Sequence, residues 1–165
     1  MATIPTLAEA KAYMRIDPDY TLEDDLIIQM LAASVDWCEK YTGLSFTVKQ
    51  FTHYSPRPYF DLQFYPLVEI ISVQDSNAAD ISWELSSAYY PKVIPAYGGV
   101  VVTYTAGYAN DLPDNLKLAV LMFANTMYEN REDFVISNFR TFANELPISV
   151  KDLLGLHTRN AGLFL

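Results

Sequence analysis

Apolar residues recur at helical spacing in two long stretches of the chain, and between those stretches β-branched and aromatic residues gather between Pro and Gly. The first stretch places Leu26, Met30, Ala33, Trp37 and Tyr41 on one helical face and Ile27, Leu31, Ser34 and Cys38 on the adjoining one. In the second, Leu116, Val120, Phe123 and Met127 form a stripe, with Leu118, Leu121 and Met122 covering the other side. The punctuation fits. Thr6-Leu-Ala-Glu9 is a capping box, and it opens a short helix that stops before the turn Asp17-Pro18-Asp19. Thr21-Leu-Glu-Asp24 repeats that logic, and Glu23, Asp24 and Asp25 crowd a first turn where the helix dipole favours negative charge. Gly43 is the C′ stop of this second helix. Pro113 suits the first turn of a third, where its missing N–H has no partner to lose. Leu146-Pro147 opens a short last helix that ends at Gly155.

Between 44 and 110 helix formers thin out, and β-branched and aromatic residues predict strands near 46–54, 67–74, 81–85, 88–94 and 99–105. Pro56 and Pro58 mark a loop, Asp75 to Asp80 a hairpin turn, and Gly98-Gly99 another turn. Two helices apolar on more than one face need cover on more than one side. Mutual packing and the sheet supply part of it. The remainder predicts neighbouring subunits, the alternative being a monomer with two well-buried helices.

Composition narrows the classes. The 165 residues, 51% of them hydrophobic, suffice for one domain with a real core. A formal charge of −9, from 11 Lys+Arg against 20 Asp+Glu, argues against a grip on phosphate backbones. One cysteine excludes an intramolecular disulfide and any multi-thiolate zinc site, and suits a reducing compartment. The start, MATIPTLAEA, lacks a basic region followed by an apolar one, so no signal peptide is expected. The longest purely apolar run, Leu118 to Ala124, is far short of the ~20 residues that span a bilayer.

Catalytic chemistry is hard to place. His53 and His157 stand about a hundred residues apart, neither with a second ligand at metal-site spacing. Cys38, mid-helix beside Trp37, reads as a small buried hydrophobe. The carboxylates fall in helix first turns or loops, and no phosphate-cradling or nucleophile motif occurs. No catalytic, metal or cofactor site is predicted. Tyr54, Tyr59, Phe60, Phe64 and Tyr65 interleave aromatics through a Pro-bearing stretch with only Arg57 and Lys49 nearby. That pattern predicts a sheet core or a protein contact face, not a base-stacking platform.

The order of short segments resembles a known family. Thr6-Leu-Ala-Glu-Ala-Lys-Ala-Tyr-Met-Arg-Ile16, then Asp24-Asp-Leu-Ile27, resembles the start of the tailed-phage head–tail connector proteins, also called adaptor or head-completion proteins. Trp37-Cys-Glu-Lys-Tyr-Thr-Gly43 resembles that family's "E-x-Y-T-G" helix end. Tyr104-Thr-Ala-Gly-Tyr108, Leu112-Pro113, Lys117-Leu-Ala-Val120 and Tyr128-Glu-Asn-Arg-Glu132 are similar to its second half. Leu146-Pro147 and Val150-Lys-Asp-Leu-Leu154 are similar to its closing segment, and the tail after Gly155 is longer than the pattern.

The resemblance implies an α+β fold, mainly a helical bundle of about four helices, with a β-rich insertion between the second and third. A single domain over 1–155 would hold helices near 6–16, 21–42, 113–131 and 147–155 and the insertion near 46–105, with 156–165 as a tail. It implies a structural virion protein of the neck, present in the host cytoplasm during assembly, that forms a homo-oligomeric ring, twelve-fold on the portal protein. The ring extends the DNA channel, through which DNA passes without specific binding, and it meets a stopper or tail-completion protein. No membrane and no cofactor is implied. The portal-binding residues would be Leu146, Pro147, Val150, Leu153, Leu154, Leu163 and Phe164. The doubly apolar helices place the subunit interface at Trp37, Tyr41, Leu118, Leu121, Met122, Tyr128 and Arg131, with Arg140 a further candidate for inter-subunit ion pairs. Loops near 55–60 and 75–80 are the expected tail-side contacts. Another neck component, a small carboxylate-dependent hydrolase and a generic α+β interaction domain are the alternatives.

Overall fold

The computed structural model describes residues 4–86, 91–130 and 148–158. The described chain divides into two compact units, one from residues 43–111 and one from the segments on either side. The helical unit holds α1 (Leu7–Met14), α2 (Asp24–Thr42), α3 (Asp114–Glu129) and α4 (Ile148–Gly155). The other holds β1 (Lys49–Ser55), β2 (Phe60–Asp61), β3 (Leu67–Gln74), β4 (Trp83–Leu85), β5 (Lys92–Pro95) and β6 (Val100–Ala106).

In the helical unit, α1 opens on the capping box read from the sequence. The Thr6 hydroxyl accepts from the Glu9 N–H at 3.3 Å, and the Glu9 carboxylate accepts from the Thr6 N–H at 2.7 Å. Each satisfies a donor that the first helical turn leaves without an intrahelical partner. α2 packs against α3, α1 against both, and α4 against α3 and α2. The core is the stripe Ile27, Leu31, Ser34 and Cys38 of α2 facing Leu116, Ala119, Val120, Ala124 and Met127 of α3. Ser34 and Thr42 bury their hydroxyls at little cost because each donates to the carbonyl four residues back, Met30 and Cys38.

In the other unit, β6 is the centre of a sheet ordered β1-β6-β3, and a second sheet is ordered β2-β5-β4. Every strand pair is antiparallel. Along β6 alternate residues Val100, Val102, Tyr104 and Ala106 are buried, while Val101, Thr103 and Thr105 face outward, the period of a strand with one covered face. Phe51 stacks on Phe64, with ring centroids 4.6 Å apart, and leans on Tyr104. The Tyr104 hydroxyl accepts from the Phe64 N–H, and the Tyr65 hydroxyl donates to the Pro91 carbonyl at 2.7 Å. Buried tyrosines thus keep partners for their polar ends.

A mainly helical bundle carrying a single β-rich insertion, the expectation drawn from the resemblance, is not the fold observed. Among the described residues four helices stand beside two three-stranded antiparallel sheets, roughly 38% helix and 26% strand. The physical reason lies in the strands. They bury Phe46, Leu62, Tyr65, Val73, Val93, Val102 and Tyr104, a core of their own. Three or more strands with an apolar face suffice for such a core.

Candidate interaction surfaces

Among the described residues no group of three His, Cys, Asp or Glu side chains is placed to hold a metal ion. His53 stacks on Phe60 at 5.5 Å in the β unit, and His157 lies 2.5 Å from the Asn115 amide in the helical unit. Cys38 is fully buried. Burial first, and the neighbouring Glu39 carboxylate second, push its thiol up to about 12, so no thiolate forms near neutral pH. No described helix is long and apolar enough to cross a membrane.

The apolar stripes are what remains. The second face of α2 and the outer face of α3 carry large side chains only partly covered. Trp37 and Tyr41 stack with centroids 4.9 Å apart, and the Phe123 ring meets Trp37 edge-on at 5.6 Å. Leu118 is exposed, Leu121 and Met122 are half-buried, and on α2 Ile28 is exposed. Tyr128, also half-buried, donates its hydroxyl to Glu23 at 2.6 Å. Of the predicted subunit-interface residues, Trp37, Tyr41, Leu118, Leu121, Met122 and Tyr128 therefore all retain accessible surface, and Arg131 lies outside the described residues. Arg140 lies outside them too.

At the C-terminal end, α4 divides the predicted portal-binding set. Val150 and Leu154 are fully buried, Leu153 is half-buried, and Leu146, Pro147, Leu163 and Phe164 lie outside the described residues. Leu156, which sequence reasoning did not single out, is 76% exposed just after α4. The helical period was the signal available, because Leu153 and Leu156 sit three residues apart, off the Val150–Leu154 stripe.

The β unit sorts the aromatic run 54–65 residue by residue: Phe60 and Tyr65 are buried, Phe64 is half-buried, and Tyr54 and Tyr59 are exposed. The connection between β1 and β2, at 56–59, lies against the turn between β5 and β6, since the Gly99 N–H donates to the Ser55 carbonyl at 3.1 Å. The Lys92 ammonium stands 4.8 Å over the Tyr59 ring and 3.6 Å from the Asp61 carboxylate. The 75–80 turn is built by Asp75, whose carboxylate accepts from the Asn77 and Ala79 N–H groups at 2.7 and 3.0 Å. Those backbone hydrogen bonds, Ala79 first, hold its carboxyl below the usual range.

Solved structures of gene transfer agent (GTA) particles share this fold. The neck of the empty particle computed with C6 symmetry aligns with a TM-score of 0.69 at 19% identity, over 96% of this chain and 93% of that one. A chain of the native GTA virion gives 0.65 at 19% identity over 96% and 93%. The neck of the native particle computed with C12 symmetry gives 0.64 at 19% identity over 96% and 92%. There is no match among curated protein sequences. The model of the phage gp6-like head-tail connector proteins matches residues 4–157, nearly the whole chain. The chain belongs to the phage gp6-like head-tail connector family and is a structural protein of the virion neck.

Proposed function

We propose that copies of this connector associate through the partly covered faces of α2 and α3 into a ring, twelve-fold when seated on the portal, that extends the DNA channel toward the stopper or tail. The observation that carries the reading is the Trp37–Tyr41–Phe123 cluster with Leu118, Leu121 and Met122. These are aromatic and aliphatic surfaces on two sides of the α2–α3 pair, which a monomeric helical unit gains nothing by leaving wet. Their occurrence in a chain whose fold recurs in necks solved with C6 and C12 symmetry supports a second copy as the cover. The C-terminal stretch 146–165 is the portal-docking segment. Leu153 and Leu156 are its accessible apolar anchors, while Val150 and Leu154 hold α4 in place.

An acidic subunit suits a channel. Twelve copies at −9 each carry roughly −108, a field that repels phosphates and lets DNA slide. Charge reversal of the exposed loop carboxylates is expected to slow ejection or retain DNA; unchanged ejection rejects the lumen argument. The ring itself is tested by mass from light scattering across concentration, alone and with the cognate portal. A ring, or a monomer that assembles only on the portal, is the expected result, with hydrogen exchange at 146–165 slowed by the portal. A strict monomer that ignores the portal overturns the reading.

A further inference from the structure

A ring closes through heterologous contacts, in which one patch of a subunit meets a different patch of the next. The structure offers two patches of opposite character. At one end of the β unit, Tyr54, Tyr59 and Tyr97 are exposed, and Tyr54 retains 62% of its surface. Arg57 is the only charged residue in 54–60 and 96–99. It is exposed, and its guanidinium has no ion-pair partner among the described residues. This tip is rigid. The Ser55 hydroxyl accepts from the Arg57 N–H and donates to the Arg57 carbonyl, and a Cβ at Gly98 would stand 2.3 Å from the Pro56 carbonyl oxygen. Only glycine lets the two loops come that close. Rigid tyrosines around an arginine lose little entropy on binding and are the residue types that dominate interface energetics.

The second patch is the connection from α1 to α2. Residues 17–25 contain five carboxylates and no Lys or Arg. Asp24 is held by Lys11 and Glu23 by Tyr128, which leaves Asp17, Asp19 and Asp25 exposed, Asp17 accepting from the Asp19 N–H. Between them Leu22 projects with 85% of its surface accessible.

We infer that the Arg57 tip of one copy docks on the Asp19–Leu22–Asp25 corner of the next, the guanidinium between the carboxylates and Leu22 among the tyrosines. The inference rests on the ring reading and adds to it a second, charge-directed contact. Charge complementarity names the occupant: the tip is locally cationic in a chain of −9, and the corner is that chain's densest run of carboxylates.

A charge-swap cycle on the full chain tests it. Arg57→Glu alone and Asp19→Arg/Asp25→Arg together are each expected to raise the concentration of half-assembly at least tenfold at low salt. Combining all three in one chain restores it to within about threefold, since the swapped pair attracts again. All sites are exposed, so unchanged circular dichroism and melting temperature show that folding is intact. The measurement is made on the free chain, and on the portal if the free chain stays monomeric. Assembly at the wild-type concentration in every variant overturns this contact and leaves the ring standing. Loss in the single reversals without recovery in the combination also overturns it. So does an Arg57→Glu chain that assembles normally but no longer binds the tail-side neck protein, because the tip would then face that partner. A wild-type chain that never associates, on or off the portal, overturns both readings.

Discussion

Lys11 is almost entirely buried, and its ammonium is shared among three oxygens: Asp24 Oδ1 at 2.6 Å, the Tyr20 carbonyl at 2.8 Å and the Pro18 carbonyl at 3.1 Å. One side chain therefore ties α1 to the turn that follows and to the first turn of α2. Removing it strands a buried carboxylate oxygen and two carbonyls together. Lys11→Met is expected to cost about 2–4 kcal/mol in urea unfolding, well above a typical surface substitution. Glu9 gives a pH signature. Its carboxyl is held below its usual 4.5, chiefly by the Thr6 N–H and then by the Thr6 hydroxyl. The stability it contributes is fully present above the ordinary carboxylate value and is lost as pH falls through the lower folded value. Glu9→Gln is expected to lose that contribution at neutral pH and to flatten the acid limb, so that the two stability curves converge as pH falls below about 4.5. The Cys38 thiol, pushed up to about 12, is expected to stay unmodified by a thiol reagent at pH 8 in the native chain and to react on denaturation.

At the scale of elements, much was legible because it is local. The α1 capping box is a contact between residues three apart, and strand 67–74 begins and ends where its β-branched content placed it. Other features are not local. Periodicity showed two apolar stripes on α2 without saying which is inside. The stripe containing Ser34 is the core, since a hydroxyl satisfied by its own helix packs as a small residue, while the stripe with Trp37 and Tyr41 stays half-open. Strand partners were equally hidden, because β6 pairs with β1 and β3 across long separations, and the two-residue β2 is too short to show a period. Gly107 marks one of these invisible meetings. It sits at φ +133°, and a Cβ there would stand 2.1 Å from the Thr47 carbonyl oxygen. Both the conformation and the space exclude a side chain, so Gly107→Ala is expected to cost more than about 2 kcal/mol, read as a lower urea midpoint for the β unit.

For the whole molecule, the question is how a fold with two separate cores serves a connector. Each unit buries what it needs: the sheets cover Val93, Val102 and Tyr104, and the helices cover Ile27, Leu116 and Val120. Part of the apolar surface left over on α3, Leu118 above all, lies outside both cores. Assembly and folding therefore become separable by mutation. Leu118 is exposed, whereas Val120, two residues on, is fully buried. Leu118→Asp is expected to change unfolding free energy by no more than about 0.5 kcal/mol, the range of surface substitutions. If Leu118 is covered by a neighbouring copy, the same change forfeits about 1.5–3 kcal/mol at each interface, about a tenfold or greater rise in the half-assembly concentration. Val120→Asp is the control. It places an unpaired carboxylate in the helical core and is expected to unfold the chain outright. Light scattering and urea unfolding on the same two variants separate the roles: assembly lost with stability kept at Leu118 makes the face an interface. Stability lost at both positions would make it an ordinary part of the core.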